Sequence, residues 1–234
     1  MTLIELVTAF CKRTGLPVPA TVVGTTDRQI QQVQALLEEE GGELASRHQW
    51  RGLTREAIVT TIANEDQGDI DALATDNFEY ISNGTLWDRS THLPLYGPLS
   101  GQDWQAIKAT NINGVNYSFR FRGGNLLVNP VPPAGVTWAF EYLTGNWIIN
   151  GAVLKSTFTD DLDTFLLKPE LLLLGLRWRW KAEKGLDYAE AFNAYELRVK
   201  DEMGRDGGAK PLRMDNTPGR VRPGIIVPNG SWSV

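Results

Sequence analysis

Asp160–Met203 reads DDLDTFLLKPELLLLGLRWRWKAEKGLDYAEAFNAYELRVKDEM, and the rest of the chain is organised around it. It divides into two helices. Pro169 suits a first helical position, where its missing N–H costs nothing. From there Leu171, Leu172, Leu173, Leu174, Leu176, Trp178 and Trp180 are apolar on nearly every side, the pattern of a helix buried on several faces. Gly185 supplies a left-handed stop, and Lys181 and Lys184 suit the negative end of the helix dipole. Asp187 with Glu190 three residues on reads as a capping box that starts the second helix. Tyr188, Phe192, Tyr195, Val199 and Met203 then recur at spacings of 4, 3, 4 and 4, one face of an amphipathic helix. So short a connection predicts an antiparallel αα-hairpin. Leu174, Trp178, Trp180, Phe192 and Tyr195 are its expected core.

At the other end of the chain, Thr2 with Glu5 makes a capping box for a first helix that stops at Thr14-Gly15. Leu16-Pro17-Val18-Pro19 is a stiff connector. Thr26 with Gln29 opens a second helix carried by Ile30, Val33, Leu36, Leu37 and Leu44, which ends near His48. Trp50 is expected to pack back onto the C-terminal hairpin. Gly41-Gly42 interrupts the second helix at about 1 kcal/mol per glycine relative to Ala, which predicts a kink or the close approach of another backbone. Glu38-Glu39-Glu40 reads as a solvated face.

Between Leu53 and Phe158 the period changes to two. Asn83-Gly84, between Phe78-Glu79-Tyr80-Ile81 and Thr85-Leu86-Trp87, is a type I′ hairpin signal. Tyr117, Phe119 and Phe121 alternate with polar residues as on a half-buried strand, and Gly123-Gly124 turns that strand into Leu126-Leu127-Val128. Val136, Trp138, Phe140 and Tyr142 share one face, with Thr137, Ala139 and Glu141 on the other. An antiparallel meander with one wet face follows.

After Gly204 the glycines and prolines leave no room for a helix or a long strand. Ile225, Ile226, Val227 and Trp232 are nonetheless apolar, which points to an arm that orders on a partner. The expected fold class is α+β: an antiparallel helical bundle of two N-terminal and two C-terminal helices, with an inserted antiparallel β-region and an extended C-terminal arm. The corresponding segments are 1–52, 53–158, 159–205 and 206–234.

The chain has 234 residues, 42% hydrophobic and 22% charged, with a net charge of −5, which argues against broad wrapping of nucleic acid. Residues 205–234 carry +3, from Arg205, Lys210, Arg213, Arg220 and Arg222 against Asp206 and Asp215, so the remainder carries −8. Such asymmetry suits an arm that meets an acidic partner. No run approaches the ~20 apolar residues of a membrane span. The start, MTLIELVTAFCKRTG, has helical periodicity and not the layout of a signal peptide. Cys11, the single cysteine, lies on an apolar stripe with Leu3, Leu6, Val7 and Phe10 and reads as a buried thiol in a reducing compartment.

Catalytic signals are poor. There is no HExxH, CxxC, GxSxG or phosphate-loop motif. His48 reads as a helix cap or core edge, and His92 as an exposed loop residue. Asp160, Asp161 and Asp163 form the one tight carboxylate cluster. Lying before a helix, they read as N-terminal capping charges, with a divalent cation as the alternative. Trp87, Trp104, Trp138 and Trp147 could stack sugars, although Trp138 already belongs to the inward stripe. No enzyme activity, cofactor or metal is expected.

The run from Asp160 through Tyr195 has an acidic opening, a Pro-Glu-Leu start, a Leu-Gly-Leu-Arg-Trp-Arg-Trp core, a Lys-Gly break and an Asp-Tyr-Ala-Glu restart. It resembles the head-to-tail adaptor, or head completion, proteins of tailed and mainly short-tailed phages, and more remotely their tail tubular protein A. The resemblance extends to the chain order: two N-terminal helices closed by His48-Gln49-Trp50, a strand-rich middle, the hairpin and a tail. It implies a structural virion protein, made in the bacterial host cytoplasm. The implied form is a twelve-fold ring below the portal protein, joined to tail or nozzle proteins, with double-stranded DNA passing through its centre and no membrane involved. On this view Arg213, Arg220, Arg222, Ile225, Ile226 and Trp232 are the expected portal-binding residues of the arm. The alternative function is a β-region that recognises a carbohydrate or host surface on a helical scaffold.

Overall fold

Side-chain caps set the first two helices. The computed structural model describes residues 1–110 and 116–207. In α1 (Leu3–Thr14) the Thr2 hydroxyl accepts from the Glu5 N–H, and the Thr2 N–H donates to the Glu5 carboxylate at 2.9 Å. Gly15, at φ 74°, ends the helix in the left-handed region. α2 (Arg28–Arg47) is capped by Asp27 and not by Thr26: the Asp27 carboxylate accepts from the Gln29 N–H at 2.8 Å. The charge on Asp27 suits the helix dipole better than a hydroxyl does.

α2 runs unbroken through Gly41-Gly42. Gly41 lies under the Trp147 indole, and a methyl group there would overlap the ring; Gly42 faces open space. The close approach anticipated at this pair is therefore made by a side chain and not by a backbone. A 3-10 turn, Arg51–Leu53, leads into the strands.

The middle of the chain holds β1 (Thr54–Thr60), β2 (Asp66–Asp69), α3 (Ile70–Ala74), β3 (Phe78–Ile81), β4 (Trp87–Asp88), β5 (Leu93–Pro94), α4 (Gly101–Thr110), β6 (Ser118–Arg122), β7 (Asn125–Asn129) and β8 (Thr137–Thr144). After it come β9 (Ile148–Asn150), β10 (Val153–Lys155), β11 (Thr164–Phe165), α5 (Pro169–Glu183) and α6 (Ala189–Asp206). The protein is thus α+β, with antiparallel sheets in the orders β1-β8-β4-β5, β2-β7-β6 and β10-β9-β11.

β8 is the hub of the largest sheet. β1 pairs along one side of it, and β3 and β4 follow one another along the other side. Asn83-Gly84 therefore does not fold β3 against β4. Only Gly84 has a positive φ, 78°, so the type I′ turn, which needs two such residues, is not formed. The Thr85 hydroxyl bridges the gap, donating to the Ser82 carbonyl at 2.6 Å and accepting from the Glu141 N–H at 3.1 Å. The Gly123-Gly124 turn does fold β6 onto β7, with φ values of 62° and 88°.

Two cores result. In one, Trp138, Phe140 and Tyr142 of β8 meet Val59, Ile81, Phe119 and Val128. In the other, Leu6, Phe10, Leu37, Trp50, Leu172, Leu176, Trp180, Tyr195 and Val199 bring α1, α2, α5 and α6 together. Trp147, Ile148 and Phe158 belong to this second core, with the Trp147 ring stacked at 6.2 Å on Phe165. α4, which strand periodicity alone does not reveal, starts at Ser100, whose hydroxyl accepts from the Asp103 N–H at 3.2 Å. It buries Trp104.

Candidate functional site

The expected arm residues Arg213, Arg220, Arg222, Ile225, Ile226 and Trp232 lie outside the described residues. The end of α6, the last described element before them, makes defined contacts. Asp206, at the end of α6, accepts from the Arg51 N–H at 2.9 Å, and the Arg51 guanidinium donates to the Gly207 carbonyl at 3.2 Å. His48 Nε2 lies 3.7 Å from the same Asp206 carboxylate and T-stacks on Trp50 at 5.0 Å. His48 thus closes α2 and edges this site.

Beside these contacts lies a cavity of about 260 Å³ lined by Trp50, Leu166, Lys168, Glu202 and Arg205, among others. Glu202 is buried and ion-paired to Lys168, Arg198 and Arg205. The hydrogen bond from Lys168 is the main influence holding its carboxyl below the usual range. This arrangement pins the end of α6 to the turn before β1.

A second polar cluster runs through the helical core. Arg179 is buried and donates to Glu39, Glu40 and Glu43 of α2, through Nε to Glu40 at 2.7 Å. The Trp178 ring lies 4.7 Å beneath its guanidinium. Gly175, one turn earlier on α5, leaves room for the Glu40 carboxylate, which a methyl group there would strike. α6 joins through Arg47–Glu196 and through the Tyr195 ring, over which Arg47 sits at 5.5 Å. Burial pushes the Glu40 carboxyl up against the opposing hydrogen bond from Arg179, and burial pushes the Tyr195 phenol up.

Glu40 thus corrects the reading of Glu38-Glu39-Glu40 as a solvated face: it is fully buried, while Glu38 accepts from the Phe158 N–H at 3.2 Å. The available signal was an arginine inside the apolar helix four residues after a glycine.

Among the expected core residues of the hairpin, Trp180 and Tyr195 are buried, and Leu174, Trp178 and Phe192 are half-buried. Trp180 meets Phe10 edge-on at 5.7 Å, and Trp178 meets Phe192 at 5.2 Å. Tyr188, at the end of the α6 stripe, is 45% exposed. Gly185 stops α5 as anticipated, with φ 65° and the Leu186 N–H on the Lys181 carbonyl at 2.9 Å. The capping box at Asp187 is replaced by a single contact to the Ala189 N–H at 3.1 Å.

The acidic turn Asp160–Asp163 does not cap α5, which starts at Pro169 after Lys168 with no side-chain cap. Its carbonyls serve α1 instead: Asp163 O accepts from Leu3 N at 2.8 Å and Asp161 O from Ile4 N at 3.1 Å. The Asp161 carboxylate takes the Val22 and Val23 N–H groups, at 3.0 and 2.8 Å. Asp163 is fully buried and accepts from Asn150, Lys155, Thr159 N and Asp160 N. Burial works to raise its carboxyl, but Lys155 and these donors outweigh it and hold the group low. Every carboxylate of the turn is thus bound to protein donors. Among the described residues no group of three His, Cys, Asp or Glu is arranged to hold a metal ion.

A sugar platform of four tryptophans is not assembled. Trp104, Trp138 and Trp147 are buried, and Trp147 sits in the helical core; only Trp87 reaches the surface. Cys11 is buried and burial pushes its thiol up, which fits a packing role. His92 is exposed at φ 60°. No described helix is long and apolar enough to cross a membrane. The sequence matches no protein-family model and no curated protein.

Proposed function

We propose that this chain is a head-to-tail adaptor of a tailed phage: a structural, non-enzymatic virion protein that forms a ring below the portal. The observation that carries this reading is the interleaved order. The two N-terminal and two C-terminal helices share one core, while β1, β3, β6, β7 and β8 between them build another. On this reading the four helices form an antiparallel bundle with the β-region inserted and the C-terminal arm extended from its base. That order, together with the Asp160–Tyr195 pattern, is where the chain resembles the adaptors.

The arm would bind the portal through Arg213, Arg220, Arg222, Ile225, Ile226 and Trp232. Its +3 charge opposes the −8 of the body, and it follows the end of α6, which Arg51 holds through Asp206 and Gly207. Ordering an arm costs roughly 1–2 kcal/mol per residue in backbone entropy, so a large partner surface is needed to offset it. Twelve copies in a ring would supply that surface, hold tail or nozzle proteins below, and let DNA slide through an acidic body without sticking.

The test is the mass of the particle formed when the full chain is mixed with its portal ring. Native mass spectrometry should show the portal gaining twelve copies of 26.0 kDa. A portal that gains no mass would sink the proposal.

A further inference from the structure

Two Asn-Gly pairs lie among the described residues, Asn83-Gly84 and Asn150-Gly151, and the fold treats them in opposite ways. Asn83 and Gly84 are both exposed, in the link between β3 and β4. The Asn83 side-chain amide and the Gly84 N–H make no hydrogen bond among the described residues. Gly84, at φ 78°, has no side chain, and a methyl group added to it would meet nothing within 4 Å, so the turn is uncrowded.

Asn150 carries the same dipeptide into a different setting. It ends β9, opposite Val153 of β10, with β11 paired on the other side of the strand. Its half-buried side-chain amide donates to the fully buried Asp163 carboxylate at 2.8 Å. The same carboxylate oxygen accepts from Lys155 at 2.7 Å. The amide of Asn150 is therefore tied to a charged acceptor that is itself fixed.

The chemistry open to such a pair is an internal attack. The glycine N–H gives its proton to hydroxide, and the nitrogen attacks Cγ of the asparagine. A new N–Cγ bond closes a five-membered imide, and the Cγ–Nδ2 bond breaks to release ammonia, which takes up a proton. Water then opens the ring. Cleavage of the new N–Cγ bond leaves aspartate; cleavage of the original peptide bond leaves isoaspartate, in which the main chain runs through Cβ. Water enters and ammonia leaves, with nothing oxidised or reduced. At Asn83 the side chain is free to swing onto the next nitrogen. At Asn150 it must first give up Asp163.

We propose that Asn83 is a site of spontaneous deamidation in the folded protein, while Asp163 protects Asn150. The consequence falls on the hub strand. The Ser82 N–H donates to the Glu141 carbonyl of β8 at 2.9 Å, and the Thr85 hydroxyl accepts from the Glu141 N–H at 3.1 Å. Isoaspartate lengthens the main chain by one atom between these two anchors, and either product adds a negative charge to the turn.

The experiment incubates the full chain at mildly alkaline pH, once folded, well below its melting temperature, and once in guanidinium chloride. Both sites are followed in time by peptide mapping with mass spectrometry. Asn113-Gly114 and Asn229-Gly230 lie outside the described residues, and their peptides are scored apart. In denaturant Asn83 and Asn150 should convert at comparable rates. In the folded protein Asn83 should convert at least about tenfold faster, the separation expected when a hydrogen bond to a charged acceptor must first be released. An isoaspartyl methyltransferase, which methylates isoaspartate, should label the aged peptide around residue 83, and Asn83→Gln should abolish that label. Equal rates at the two sites in the folded protein overturn the proposal. So does an Asn83 that stays intact in the folded protein while converting in denaturant.

Discussion

The helical core and the β-core solve the same packing problem with opposite materials. The second is built from aromatic and branched side chains, with Trp138, Phe140 and Tyr142 inside and charges such as Glu56 and Glu141 outside. Its buried polar contacts are few and mostly to backbone: the Tyr142 hydroxyl donates to the Ala74 carbonyl at 2.6 Å, with burial pushing that phenol up to about 12, and the buried Asp88 carboxylate accepts from the Ser90 and Thr91 N–H groups at 2.8 and 3.0 Å. The helical core instead buries Glu40, Arg179, Asp163 and Glu202. Burying charge is costly unless it is paired, and exchanging a buried pair for apolar residues is often neutral or better. The helical core is thus held by contacts that demand one arrangement of α2, α5 and α6. The β-core is held by area.

The sharpest break of this comparison is Arg179→Ala. It leaves Glu40 buried without its cation, and about 3–5 kcal/mol should be lost in urea denaturation. The double variant Arg179→Leu with Glu40→Gln removes both charges and should recover at least half of that loss. Equal losses in the single and double variants would mean that the site is held by volume and not by charge.

The next effect is at Asp163, where the comparison can be sharpened by pH. Its carboxyl is held low in the folded protein, so its contribution is present above the unfolded value of about 3.9 and is lost as pH falls through the folded value. Glu40 is shifted up, so its contribution is present below about 4.3 and is lost as pH rises through its folded value. Asp163→Asn should cost about 1–3 kcal/mol at neutral pH, since four donors lose a charged acceptor, and should flatten the acid limb of stability against pH. An acid limb as steep as that of the unaltered protein would show that other carboxylates set it.

How much of this was legible in the sequence follows the same division. Alternation on β8, the Gly123-Gly124 turn and the α1 caps could be read because each depends on neighbours in the chain. The hairpin could be read for a similar reason: Pro169 and Gly185 punctuate it locally. The burial of Glu40 could not, because its environment is Gly175 and Arg179, well over a hundred residues away, and a charge run looks solvated until something distant covers it. Asp160–Asp163 misled for the complementary reason. The helix it serves is α1, at the other end of the chain, and not the one that follows it. Asn83-Gly84 had hairpin chemistry, but β8 offered β3 and β4 one long partner in place of each other. As to the candidate site, the contact of Arg51 with Asp206 and Gly207 depends on tertiary placement, and no local pattern announces it.

A smaller effect distinguishes the two adjacent glycines of α2. Gly41→Ala should cost about 1–3 kcal/mol through overpacking on Trp147. Gly42 has nothing within reach of an added methyl group, so Gly42→Ala should gain up to about 1 kcal/mol from helix propensity. Thermal melts of the two variants should therefore move in opposite directions. A shift of the same sign in both would contradict the packing of Trp147 on α2.

The smallest effect lies on the wet face of the β-region, where the comparison predicts that charge is dispensable. Glu141→Gln removes one of two like charges that face each other across β1 and β8, while Arg89 stays paired to Glu56. The isolated protein should gain about 0.2–1 kcal/mol. Glu56→Gln removes the same repulsion but also breaks the pair with Arg89, so its gain should be smaller or absent. Side-by-side urea titrations at low salt give the difference, and raising the salt should erase it, because exposed charges are screened. If the two substitutions act alike, Arg89 is not committed to Glu56 and neutralises both carboxylates. The face would then carry less uncompensated charge than the register implies.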